Sequence, residues 1–210
     1  MKILFFGDSI TDAGRSREED HSIWAYGHGF VKFISGELIA SDPTKYEIYN
    51  RGVSGNRIVD LYARVKSGVW NLQPDVLSIL IGINDVGHEI SRGDGVDILR
   101  FEKVYRMLLE DTLARLPDVK LILCEPFVLE GSATAENLNA FLEVKQYAKV
   151  VEKLAKELGA YFLPLQEKLE QAALKYSPEL YLADGVHPAV AGAKLIANEW
   201  LALYKKEIEK

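Results

Sequence analysis

Cysteine is nearly absent from this chain of 210 residues: Cys124 stands alone, so no internal disulfide can form, and its place in the apolar run 119–124 reads as an inert buried thiol. The four histidines are scattered and share no zinc-type spacing with it, so no metal is expected. No apolar run approaches the roughly 18 residues of a membrane span. The N-terminal apolar stretch Ile3-Leu4-Phe5-Phe6 is too short for a signal-peptide core and leads straight into a motif, so a cytoplasmic protein without a membrane partner is expected. Lys and Arg form no cluster and the formal charge is -6, which disfavours nucleic acid and suits a small or uncharged ligand. Linkers, internal repeats and low-complexity tracts are also missing, so residues 1–210, at 48% hydrophobic, read as a single domain with one substantial core.

What is present is a regular alternation. Apolar runs at 3–6, 46–49, 76–81, 119–124 and 161–165 read as five short strands, the third apolar on successive residues as a strand covered on both faces should be. Between them, Phe101, Val104, Tyr105, Leu108, Leu109, Thr112, Leu113 and Leu116 follow helical spacing, as do Tyr147, Val150, Val151, Leu154, Ala155 and Leu158, with Gly159 placed to end that helix. A last helix is expected to begin at Pro188 and to bury Ala189, Gly192, Ala193, Ile196, Ala197, Trp200, Leu201 and Tyr204. Alternating strands and helices predict an α/β fold of three layers around a parallel sheet. Residues 13–29, rich in charge, glycine and aromatics, read as an irregular rim of a binding site.

Four segments carry polar residues where such a sheet presents them to a ligand. Gly7-Asp8-Ser9 follows the first strand, so the Ser9 hydroxyl should project at the carboxyl edge with its N–H in an opening helical turn. A serine hydroxyl needs a base. The candidate is His187, with Asp184 three residues earlier to accept its other ring N–H and stabilise the imidazolium. Gly52-Val53-Ser54-Gly55-Asn56 and Gly82-Ile83-Asn84-Asp85 follow two further strands and could direct a backbone N–H and an amide into the same cleft. Taken alone, each segment has an ordinary explanation as a helix cap or an Asx-type turn.

In this order, Gly7-Asp8-Ser9, Gly55, Asn84 and Asp184-Gly185-Val186-His187 resemble the SGNH hydrolases, also called GDSL-type lipases and esterases, and the likeness spans nearly the whole chain. It implies a flavodoxin-like, five-stranded sheet and no cofactor. By the same likeness Ser9 is the nucleophile, His187 the base and Asp184 its partner, and the Ser9 N–H, Gly55 N–H and Asn84 amide form the oxyanion hole. Ile10 stands where the family's leucine follows the serine, a volume-conserving change. The Gly-x-Ser-x-Gly elbow of the α/β-hydrolases is absent. The runs 7–12, 50–56 and 81–86 are further similar to a bacterial branch of carbohydrate esterases that deacetylate xylan fragments, which implies an acetylated sugar as small-molecule ester substrate and is compatible with a homo-oligomer.

Trp24, Tyr26, Asp8 and Asp85 are the candidate substrate contacts. Trp70 and Phe127 are further aromatics that a sugar could use, although aromatics bury large areas whatever the function. Arg15, Arg17 and Glu130 are candidates only for a solvated rim. His21, His28 and His88 could touch substrate, but none has an Asp partner like that of His187. Ser54 is the rival nucleophile and suits a turn better. Two other functions stay open: a lipase-like or thioesterase acylhydrolase on longer chains, and a non-catalytic sugar-binding module. Nucleotide binding is disfavoured, since neither a Gly-x-Gly-x-x-Gly turn nor a P-loop follows any strand.

Overall fold

In the computed structural model, which describes residues 1–18 and 20–209, β1 (Lys2–Gly7) runs into a single helical turn, α1 (Ser9–Asp12), and after a loop into α2 (Phe30–Ser41). There follow β2 (Glu47–Gly52), α3 (Ile58–Val65), β3 (Val76–Leu80), α4 (Ile83–Arg92), α5 (Ile98–Arg115), β4 (Lys120–Cys124), α6 (Leu138–Phe141), α7 (Val144–Leu158), β5 (Tyr161–Leu163), α8 (Gln166–Lys175) and α9 (Val190–Glu207). The sheet has the order β2-β1-β3-β4-β5 with every pair parallel, the flavodoxin-like order whose switch point lies between the first and third strands.

Alternation of side chains along β1 sorts the helices into two layers. Phe5 meets Phe30 of α2 and Trp200 of α9, with ring centroids 5.8 and 5.1 Å apart. Phe6, on the other face, lies under the Arg64 guanidinium of α3 at 4.2 Å. α2 packs on α9, and α3, α5 and α7 pack in succession. All five residues of β3 are buried, as a strand covered on both faces requires. Trp200 donates its indole N–H to buried Ser78 at 3.0 Å, and Cys124 on the next strand is fully buried, which pushes its thiol up to about 12. The thiol is therefore inert.

The two helices read from periodicity appear as α5 and α7, the first capped by the Asp97 carboxylate on Arg100 N–H and the second closed by Gly159 at φ 68°. The last helix begins at Val190 rather than Pro188. Pro188 instead forms an antiparallel bridge with Leu182, flanked by hydrogen bonds from Ala183 N to His187 O and from Ala189 N to Tyr181 O. These bonds hold the chain extended there, and the missing Pro188 N–H costs the bridge nothing because the flanking amides do the pairing. Residues 13–29 form turns and bends as expected, with Glu19 outside the described residues. No helix among the described residues is long and apolar enough to cross a membrane.

Gly52 fixes how closely α1 approaches the sheet. A Cβ there would stand 2.1 Å from Asp12 N and 2.6 Å from Asp12 Cα, and backbone atoms cannot swing aside as a side chain can. Gly52→Ala is therefore expected to lower the unfolding free energy by about 1–3 kcal/mol, read as a lower urea midpoint. An unchanged midpoint would mean that α1 is free to move off β2.

Candidate active site

Ser9 sits at the carboxyl end of β1, and the cap of the turn it opens is Asp8, whose carboxylate accepts the Ile10 N–H at 2.9 Å. Ser9 is thus not the cap, and its hydroxyl is left for another partner. As the first residue of the turn, its own N–H has no intrahelical acceptor. The Ser9 Oγ lies 2.9 Å from His187 Nε2, and His187 Nδ1 lies 2.7 Å from Asp184 Oδ2. A carboxylate only accepts, so Nδ1 carries the proton and Nε2 is the acceptor for the serine hydroxyl.

The turn that presents His187 is built by the same aspartate. Asp184 Oδ1 accepts the N–H groups of Val186 at 2.9 Å and His187 at 2.8 Å. The Asx-type turn and the imidazole contact therefore coexist, one carboxyl oxygen serving each. Burial pulls the Asp184 carboxyl upward, but the His187 amide and imidazole and the Val186 N–H outweigh it and leave the group below its ordinary value. Gly185 adopts φ 95°. A Cβ on Gly131 would meet Asp184 C at 2.3 Å, so the loop after β4 presses directly on this turn.

Two other strand ends supply donors. Gly55 has φ 82°, in a turn tied down by Ser54 N–H to Asp12 Oδ2 at 3.2 Å and by Asn56 N–H to Val53 O at 3.2 Å. The Gly55 N–H forms no hydrogen bond among the described residues. Asn84, the second residue of α4, donates from its amide to Asn56 O at 3.0 Å, which holds the two segments together and leaves one amide hydrogen for a ligand. Donors in this arrangement can receive a developing oxyanion.

Residues that periodicity and motif order did not single out hold these parts in place. Arg64 reaches Asn56 Oδ1 at 2.6 Å, Arg51 O at 2.9 Å and Gly7 O at 3.0 Å. Its signal in the sequence was a charge within the apolar stripe of Leu61 and Val65. Asn50 donates to Thr11 O at 2.7 Å and Tyr26 O at 3.1 Å and accepts the Gly52 N–H at 2.9 Å, which draws the return of the 13–29 loop onto β2.

That pull corrects part of the expected substrate surface. Tyr26 is 8% exposed, and Asp8 and Asp85 are 0% exposed, so none of the three offers a face to a substrate. Of the four candidates only Trp24, 72% exposed, stands in solvent. Trp70 precedes β3, at the opposite edge of the sheet, where its indole donates to Thr112, and Phe127 is core. Arg15 and Arg17 are spent on Gly52 O and Asp12, and Glu130 is exposed. His21 and His88 lie 3.7 Å from Glu47 and Asp94. No histidine hydrogen-bonds Ser54 among the described residues. His28 alone of the other histidines joins the site: with Ile10, Ala13, Gly14, Gly29 and Pro188 it walls a crevice of about 220 Å³ against Ser9 and His187.

Asp8 and Asp85 do a different job. Asp8 caps α1, and Asp85 Oδ1 accepts the Ile58 N–H of α3 at 3.0 Å, behind the Gly55 turn. The second oxygen of each is buried without a partner. Burial pushes both carboxyls up to about 7, against the N–H of Ile10 and the charge of His187 for Asp8 and against the Ile58 N–H for Asp85, which the Asp8 charge raises further. A carboxyl whose folded value exceeds its unfolded one near 3.8 takes up protons on folding, so stability is full below the unfolded value and falls as pH rises toward the folded one. His88, held low by burial and by Arg92, acts in the opposite sense, so the difference between variants isolates the carboxyls. Asp85→Asn keeps the acceptor for Ile58 and is expected to lose less stability than the parent between pH 5 and about 7, measured by urea unfolding. Parallel pH curves for the two proteins would show that Asp85 is ionised throughout.

A model described as the GDSL-like Lipase/Acylhydrolase family matches residues 5–195. The chain is 36% identical over 208 residues to the acetylxylan esterase of Geobacillus stearothermophilus, spanning 95% of this chain and 92% of that protein. Among solved structures, a GDSL-like lipase candidate from Parabacteroides merdae matches with a TM-score of 0.89 and 38% identity, covering 96% of this chain and 94% of that one. A catalytic mutant of the Geobacillus acetylxylan esterase matches with a TM-score of 0.86 and 34% identity, covering 96% and 92%. Solved mutants of that esterase described as catalytic replace an aspartate, a serine and a histidine.

Proposed function

The chain belongs to the GDSL-like lipase/acylhydrolase family of serine esterases, and we propose that it deacetylates carbohydrate esters of the xylo-oligosaccharide kind through an acyl-enzyme on Ser9. The observation that carries the reading is the hydrogen-bonded file Ser9 Oγ, His187, Asp184 Oδ2, with its two contacts of 2.9 and 2.7 Å. Support for a sugar acetate comes from the 36% identical acetylxylan esterase.

In this mechanism His187 Nε2 takes the Ser9 proton as Oγ attacks the ester carbonyl, and the imidazolium is stabilised by Asp184. The carbonyl oxygen becomes an oxyanion held by the N–H groups of Ser9 and Gly55 and the Asn84 amide. Collapse of the tetrahedral species breaks the bond to the alcohol oxygen, which takes the proton from His187. Water then attacks the acetyl-serine, again giving its proton to Nε2, and acetate leaves with Ser9 restored. The protein acts as one domain, without a cofactor.

A longer acyl group is the second reading, favoured by one observation. A mostly apolar groove of about 870 Å³, lined by Phe33, Tyr176, Leu180, Tyr181 and Val190 among others, begins two residues after His187.

Ser9→Ala is expected to lower kcat on p-nitrophenyl acetate by about 10³-fold or more while the fold persists, and Asp184→Asn by a comparable factor through the wrong imidazole tautomer. Undiminished turnover in Ser9→Ala would remove Ser9 from the reaction. In a second assay, acetate should be released from acetylated xylo-oligosaccharides, and kcat/KM on p-nitrophenyl esters should fall by about 10-fold or more from acetate to octanoate. Rates that rise with chain length would instead establish the longer-chain reading.

A further inference from the structure

The crevice beside Ser9 has a side. A tetrahedral intermediate on Ser9 has four substituents: Oγ, the oxyanion, the acyl carbon and the alcohol oxygen. The oxyanion must face Gly55 and Asn84. The alcohol oxygen must face His187, because the proton that Nε2 takes from Oγ is the one it returns to the departing alcohol. The crevice of about 220 Å³ is walled by Ser9, Ile10, Ala13, Gly14, His28, Gly29, His187 and Pro188, and by neither Gly55 nor Asn84. It therefore lies where the alcohol half of an ester would sit.

Its construction is costly, and the cost falls on the backbone that carries His28. Ala13 closes α1 in the left-handed region at φ 44°, where a residue with a Cβ is strained, and Gly14 follows at φ 70°. A Cβ on Gly14 would come within 2.9 Å of His28 Cε1, and one on Gly29 within 2.8 Å of the Ala13 Cβ. Bare α-carbons thus let the returning loop lie against the exit of α1, clipped by the His28 N–H to Ala13 O at 2.9 Å. The imidazole so delivered makes no hydrogen bond to any described residue, unlike that of His187. The ring is exposed at the mouth of the crevice, and its one donor and one acceptor nitrogen are left uncommitted in the wall.

We propose that this crevice is the subsite for the alcohol half of the ester, and that His28 recognises a hydroxyl on the same sugar ring as the acetyl group. This rests on the esterase reading above and names a specificity residue within it. The remaining walls suit the assignment: Ile10, Ala13 and Pro188 offer apolar contact for ring C–H groups, while the imidazole supplies the polar contact. A leaving group without hydroxyls would fill the same space and leave His28 unused.

The test compares two acetates: methyl β-xyloside bearing one acetyl group, whose neighbouring hydroxyls are free, and ethyl acetate, which has none. Hydrolysis is followed by acetate release in the parent, His28→Ala and His28→Gln. The ratio of kcat/KM for the xyloside to that for ethyl acetate is expected to fall by about 3- to 10-fold in His28→Ala, the scale of one hydrogen bond. It should recover in part in His28→Gln, which keeps a donor and an acceptor. Gly14→Ala, which displaces the ring, is expected to lower the ratio in the same direction. Equal losses on both acetates, or an unchanged ratio, would reduce His28 to packing and overturn the proposal. So would a changed preference between acetyl and butyryl esters in His28→Ala with the alcohol held constant, since that would put the acyl half in the crevice. The esterase reading is judged separately by Ser9→Ala: inactivity of that variant beside an unmoved His28 ratio defeats the subsite alone.

Discussion

One rung of backbone governs the rest of the molecule. Gly7 pairs with Gly52 on one side and Leu80 on the other, so three parallel strands end level at the point where the chain leaves β1 for one edge of the sheet and later returns to the other. Ser9, the Gly55 turn and Asn84 leave that rung within a few residues of it. Their mutual distances are consequently set by hydrogen bonding between strands rather than by loops. The rung admits no side chain at its centre, since a Cβ on Gly7 would lie 2.4 Å from both Leu80 O and Thr11 Oγ1. The carbonyl of Gly7 accepts from both Val53 N–H and Arg64, which ties the Gly55 turn and α3 to the same point.

The fourth segment reaches the rung from the far end of the chain, and no strand carries it. Its position depends on local hydrogen bonds: Asp184 folds the turn around its own carboxylate, the Leu182–Pro188 bridge closes the base, and the loop after β4 clamps it through Leu129 N–H to Gly185 O and Ala133 N–H to Asp184 O, both at 2.9 Å. Thr134 adds a hydroxyl bond to Leu129 O at 2.8 Å from within that loop. A helix start at His187 would have set the positive end of a dipole against an imidazole that becomes a cation in the proposed reaction. The bridge moves that end three residues away, and Asp184 remains the nearest charge.

The sheet was legible because its strands are the apolar runs of the chain, and every run read as a strand is one, to within a few residues. Ser9, Gly55 and Asn84 could be placed because each follows a strand by a few residues, whereas Asp184 and His187, carried by no strand, could be read only from their spacing and motif. What the sequence concealed was burial. Asp8 and Asp85 belong to the motifs that hold Ser9 and Asn84, and as charged residues they read as contacts. In the folded chain each turns inward to satisfy a helix N-terminus, an outcome that depends on the neighbouring layer and not on the local pattern. Tyr26 was misread for a related reason, since its carbonyl is captured by Asn50, 24 residues away. The start of α9 was misplaced because a proline suits both the first turn of a helix and an extended bridge, and only pairing with Leu182 decides between them.

Burial of Asp8 and Asp85 also bears on how the site holds its shape. A helix start buried beneath the candidate site needs an acceptor for its free N–H groups, and Asp8 and Asp85 have no exposed surface there. A carboxyl supplies one on a short side chain, but an ionised pair at that depth would suffer both desolvation and mutual repulsion. Protonation relieves both while leaving one oxygen of each to accept its N–H. The two N–H groups so held, those of Ile10 and Ile58, lie one residue after Ser9 and three after Gly55. Asp8 and Asp85 therefore hold the backbone beside Ser9 and Gly55, and values pushed up to about 7 lessen the negative charge they place there, which in the proposed reaction would weaken the field opposing an oxyanion.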